Sequence, residues 1–132
     1  MTARAAAFLS RWGPALVVMC VIFTASATPG DELPNGGIFD LPLKKGGHLL
    51  GYALLGAAYL RGLAWRRSPR GKDAARAVVL AALFACTDEV HQRFTPGRTP
   101  AVTDVMIDTV GATVSASLLR WRSRRPAGDE GA

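Results

Sequence analysis

Residues 101–121 read AVTDVMIDTVGATVSASLLRW, an apolar run broken by two carboxylates, Asp104 and Asp108. A helix of this length rises about 30 Å at about 1.5 Å per residue, which matches the hydrocarbon core of a bilayer. Residues three or four apart share a helix face. Asp104, Asp108, Gly111 and Ser115 therefore form one stripe, and Gly111 and Ser115 have the small-xxx-small spacing that lets helices approach closely.

Three further apolar runs precede it. Residues 12–27 read WGPALVVMCVIFTASA with no charge. Residues 46–65 read GGHLLGYALLGAAYLRGLAW, with His48 near the start and Arg61 near the end. The third run begins after Arg76 as AVVLAALFAC and must take in Asp88 to Gln92 to be long enough to span. The prolines are read as falling at helix starts or in connections, where they are tolerated. The pattern predicts an all-α fold: a four-helix transmembrane bundle with helices over 8–27, 46–65, 74–93 and 101–121. These form a single domain over 1–132, with 122–132 as a cytoplasmic tail.

Hydrophobic residues make up 49% and charged residues 20% of the 132 residues, and the net charge is +6. A basic balance suits either a nucleic-acid binder or a membrane protein with cytoplasmic arginines. Twelve of the 16 basic residues fall at Arg4, Arg11, Arg61, Arg66, Arg67, Arg70, Lys72, Arg76, Arg120, Arg122, Arg124 and Arg125. They flank apolar runs on one side of the predicted topology, which argues against a nucleic-acid face. Under the positive-inside rule both termini and the 61–76 loop are cytoplasmic, and the 28–45 and 89–100 connections face outward. The location expected is the cell membrane, multi-pass. The first run also has signal-peptide features, arginines before an apolar core and then Ala25-Ser26-Ala27. Its long leading flank favours a retained span.

Cys20 and Cys86 lie within apolar runs and read as buried, free packing residues. No zinc-type spacing is present.

The residues a bilayer penalises carry the functional argument. Counting about 1.5 Å per residue from the cytoplasmic edge puts Asp88 and Asp108 about 16 Å deep, Asp104 about 22 Å and His48 about 25 Å. Lys45, His48 and Tyr52 share a stripe on the second helix, and Asp88, Glu89 and Gln92 share one on the third. Three polar stripes at overlapping depths predict an outward-facing pocket. Its cations would be Lys45, His48 and Arg98, with Arg93 near the rim. Its carboxylates would be Asp88, Glu89, Asp104 and Asp108, an acidic surplus that calls for bound protons or a bound cation.

At these residues the chain resembles the VanZ-like family of bacterial membrane proteins. The matching stretches are Lys45-x-x-His48-x-x-x-Tyr52-x-x-Leu55, Thr87-Asp88-Glu89-x-x-Gln92-Arg93-Phe94, Pro96-Gly97-Arg98 and Asp104-x-x-x-Asp108-x-x-Gly111, and the likeness extends over about residues 12–120. The resemblance implies four membrane helices with a polar cluster on the outer side. It also implies an association with resistance to glycopeptide antibiotics such as teicoplanin, which belongs to a few members. The chain departs from the family pattern at Lys44, where Asp is frequent, at Asp108, where Asn is usual, and at Ser115, where Gly is common.

The function expected is to bind or modulate a lipid-linked envelope component or an amphiphilic drug. The binding set would be Lys45, His48, Tyr52, Asp88, Glu89, Gln92, Arg98, Asp104 and Asp108. Partners would be membrane lipids and a lipid-linked cell-wall intermediate or glycopeptide-type drug, with oligomeric state open. The alternative is an enzyme acting on a lipid-linked substrate, with His48 as acid or base and Asp88 or Glu89 orienting it. No G-x-S-x-G, H-E-x-x-H or P-loop supports a specific chemistry. No cofactor or metal is expected; Asp88, Glu89, Asp104 and Asp108 are the candidates for a divalent ion. A proton path is disfavoured by the apolar inner halves of the helices. A further alternative is a structural polar core alone, in which Tyr52 packs with its hydroxyl satisfied and Glu89 faces water. His91 reads as a solvated edge residue, and Trp12, Trp65 and Trp121 as an interfacial belt. The 28–45 connection reads as a lid or a re-entrant segment.

Overall fold

Each apolar run becomes a helix, and three of the four begin upstream of the apolar pattern. In a computed structural model that describes residues 2–29 and 40–124, of residues 40–43 the backbone only, α1 spans Ala3–Ala27 and α2 Asp40–Leu63. The other two are α3, Gly71–Gln92, and α4, Val102–Arg122. No strand occurs among the described residues. The reading of 28–45 as a lid falls mainly on residues 30–39, and that of the tail mainly on 125–132, outside the described residues.

Local capping explains the early starts of α1 and α3. The Thr2 side chain caps α1 by accepting from the Ala5 N–H at 3.4 Å, so the Ala-rich segment before Phe8 joins the helix. The Asp73 carboxylate accepts from the Arg70 N–H at 2.8 Å, capping the start of α3 from within its first turn. The Arg67 guanidinium grips the same carboxylate through two hydrogen bonds, of 2.6 and 2.9 Å. Arg67, and after it the Arg70 N–H, holds the Asp73 carboxyl well below the usual carboxylate range. A lowered folded-state pKa stabilises the fold above the unfolded value of about 4, and that contribution fades as pH falls below it. Melting of the purified chain between pH 5 and pH 2 is therefore expected to fall more steeply in the wild type than in Asp73→Asn. Parallel slopes would refute the pairing.

Pro14 departs from the expectation that prolines avoid helix interiors, for it lies within α1. Proline cannot donate to the carbonyl four residues back. That carbonyl belongs to Ser10, and the Arg61 guanidinium of α2 donates to it at 2.9 Å and to Arg11 O at 3.2 Å. Arg11 in turn donates through Nε to Gly62 O at 2.7 Å. The start of α1 and the end of α2 are thus cross-tied by arginines on backbone oxygens.

The chain runs up and down, and α2 packs against all three other helices. Among the described residues α1 meets α2 and α3 but not α4. Small residues fill the end of the interior where α2 finishes and α3 begins. Ala77, Ala81 and Ala85 form a column on α3 against Ala112 and Ala116 of α4. Larger apolar side chains point outward, among them Val17, Val21, Leu50, Leu54, Val79, Leu83, Val110 and Val114. The buried set includes Asp73, Asp88, Glu89, Gln92 and Asp108. This inverts the arrangement of a water-soluble bundle, where large apolar groups go inside. Two helices, α1 and α4, are long and apolar enough to cross a membrane. Cys20 and Cys86 are free as expected, but both lie on the outward face and not in the core.

Candidate functional site

The polar residues gather at the end of the bundle where α1 and α3 finish and α2 and α4 begin. Outermost is an ion pair between Lys45 Nζ and Asp104 Oδ1 at 2.7 Å, with 35% and 21% of the two side chains exposed. One turn further in, His48 Nδ1 lies 3.3 Å from Asp108 Oδ1, close enough for an ion pair but not aligned as a hydrogen bond. Asp108 is buried, and neither of its carboxylate oxygens has a hydrogen-bond partner among the described residues. The His48 and Tyr52 rings are parallel with centroids 6.4 Å apart, and Tyr52 also meets Phe84. Tyr52 is fully buried, and its hydroxyl has no partner among the described residues. It lies within electrostatic reach of Asp88, Asp108 and Glu89.

On α3, Asp88 Oδ2 accepts from Ser26 Oγ at 2.7 Å and from Gln92 Nε2 at 3.1 Å. Gln92 also reaches Ser26 Oγ at 3.4 Å, closing a triangle between α1 and α3. Asp88 Oδ1 is buried with no partner among the described residues. Glu89 does not face water. It is buried, and its Oε2 accepts from the Ala101 N–H at 2.8 Å at the start of α4.

Arg98 is used differently from the expectation. Gly97 at φ 69 turns the chain sharply, a conformation glycine adopts without strain. Arg98 then donates to Ala25 O at 2.6 Å and Thr28 O at 3.1 Å, closing off the last carbonyls of α1. His91 is no solvated edge residue: its ring stacks on Phe23 at 4.3 Å, and its Nε2 is buried.

Lys45, His48, Tyr52, Asp104 and Asp108 thus stand together on α2 and α4. Asp88, Glu89 and Gln92 bring the α3 side, and Arg98 sits on α1. With Arg98 held on carbonyls, four carboxylates face Lys45 and His48. Burying unpaired carboxylates is costly, so the arrangement is suited to take up protons, donor groups or positive charge. The group beside His48 is Asp108, not Asp88 or Glu89. Among the described residues no three of His, Cys, Asp and Glu come together as a group that could hold a metal ion, so the four carboxylates are not grouped as ligands. Ser26 is the member that sequence reasoning missed. Within Ala25-Ser26-Ala27 it reads as part of a cleavage signal, although it is the hydroxyl of α1 that falls level with Asp88.

No curated protein and no solved structure matches the chain. The family model described as VanZ/LLP1 matches residues 12–123, nearly the whole sequence and every residue of the cluster. The chain therefore belongs to the VanZ/LLP1 family.

Proposed function

We propose that all four helices span the membrane with both ends cytoplasmic, and that the polar end opens outward to bind the polar portion of a lipid-linked envelope component or amphiphilic drug. Outward-pointing leucines and valines on α2 and α3 support four spans, as does the crowding of arginines at the opposite end. The observation that carries the binding reading is the set of buried atoms without partners: the Tyr52 hydroxyl, Asp88 Oδ1 and both oxygens of Asp108. Each such group costs about 1–3 kcal/mol unless something completes it. Three helices bring them to one end.

The test is retention of two probes, a lipid-linked cell-wall intermediate and a fluorescent lipoglycopeptide, by the purified chain in lipid nanodiscs. Wild type is expected to hold at least one, and Tyr52→Phe/Asp108→Asn to bind it about tenfold more weakly, about 1.4 kcal/mol, with helicity unchanged. Equal binding by both, or no binding by wild type, overturns the reading.

One contact favours a second reading. The approach of His48 to Asp108 is the geometry of a carboxylate-oriented acid–base histidine on a lipid-linked substrate. On that reading His48→Ala abolishes turnover of the retained lipid while leaving its binding intact.

A further inference from the structure

Beside the polar end, α2 and α4 leave an open groove of about 390 Å³ on the outer surface, lined by Lys45, Gly46, Leu49, Met106, Ile107 and Val110. This volume is in the range of small-ligand sites. Leu49, Met106 and Val110 are exposed, so the groove faces away from the bundle. Gly46 is not there to let the helices close up, since a Cβ placed on it would meet nothing within 4 Å. The groove's own surface is apolar, with Lys45 lining one end through its methylenes, and beside that end the Lys45 ammonium is paired with Asp104.

That end carries one cation and one anion side by side, both partly exposed. An ammonium has three donors and a carboxylate about four acceptor positions, so their mutual bond leaves each able to hold a ligand group as well. A head group bearing only negative charge meets Asp104, and one bearing only positive charge meets Lys45. A head group with a phosphate and an ammonium satisfies both. A primary ammonium also donates charge-assisted hydrogen bonds to Asp104, which a quaternary one cannot.

We propose that this groove is a site for an ethanolamine-type phospholipid. One acyl chain lies along Leu49, Met106, Ile107 and Val110, the phosphate meets Lys45 and the primary ammonium meets Asp104. The inference rests on the membrane-spanning reading above, but not on the ligand of the buried cluster.

The test is native mass spectrometry of the full chain after exposure to equal amounts of phosphatidylethanolamine, phosphatidylglycerol and phosphatidylcholine. Ethanolamine adducts are expected to exceed each of the others about fivefold, the ratio one hydrogen bond sets. Asp104→Asn should remove the preference over choline, and Lys45→Gln should weaken ethanolamine binding. Gly46→Trp, which fills the groove from a position with open space, should remove the adduct without changing helicity. Equal binding of all three lipids overturns the proposal, as does an ethanolamine preference that survives Gly46→Trp. Disulfide dimers of Gly46→Cys in a Cys20→Ser/Cys86→Ser background would mean that a second copy fills the groove, and also overturn it. The two readings fail separately. Loss of the lipid preference with the nanodisc probes still bound removes the groove alone. A preference that stands while neither probe binds removes the buried site alone.

Discussion

Replacing Gly111 with leucine is expected to stop the chain accumulating in the membrane. The α2–α4 seam closes backbone on backbone at two glycines. A Cβ on Gly111 would collide with Leu49 O and come within 3.2 Å of Ala53 N. A Cβ on Gly56 would lie 2.7 Å from Ala112 Cα and 2.9 Å from Ala112 O. Backbone atoms of a packed helix cannot move aside as a flexible side chain can. The whole seam must open, and the cost is expected at or above about 3 kcal/mol, the upper end for overpacking. Gly111→Ala should lose less but clearly. Gly47→Ala is the control, because nothing lies within 4 Å of a Cβ there; it should gain up to about 1 kcal/mol from helix propensity. Membrane yield and unfolding in mixed micelles measure both. A Gly111→Leu chain that accumulates and unfolds like wild type would mean that the seam does not close this way.

Asp88→Ala is expected to have the second largest effect, and the way it is repaired separates a structural from a functional cluster. The carboxylate holds Ser26 of α1 and Gln92 of α3 in one triangle. Removing it takes the acceptor from both donors, and a buried polar group left without its partner costs about 1–3 kcal/mol. Replacing the whole set with apolar groups, as Ser26→Ala/Asp88→Leu/Gln92→Leu, removes the stranded groups along with the acid, and such replacements are often neutral. The triple variant should recover membrane yield but not binding of the lipid-linked probes. Recovery of binding as well would assign the triangle to packing alone.

The helices, their order and most of the cluster were legible because each rests on spacing along one helix. Asp104 and Asp108 share a face at any tertiary arrangement, and so do Lys45, His48 and Tyr52. What could not be read was which stripe meets which side chain. That His48 meets Asp108 depends on the rotation of α2 against α4, which Gly56 and Gly111 set through backbone contact. Charge and the Pro96-Gly97-Arg98 stretch both assign Arg98 to the cluster. Its true partners are the carbonyls at the end of α1, which carry no sequence signature. Apolarity alone places the starts of α1 and α3 late, because the caps at Thr2 and Asp73 extend each helix beyond its apolar part.

Pro14 lends the bundle a key cut for one lock. By withholding a hydrogen it leaves a single oxygen on the rim of α1 unclaimed, at Ser10, and Arg61 claims it. The other carbonyls of α1 that a distant guanidinium holds, those of Ala25 and Thr28, lie at its far end, where Arg98 takes them. Sliding α1 by one turn, about 5.4 Å, would move the vacancy out of reach, so a residue known for breaking helices here dictates how two of them line up.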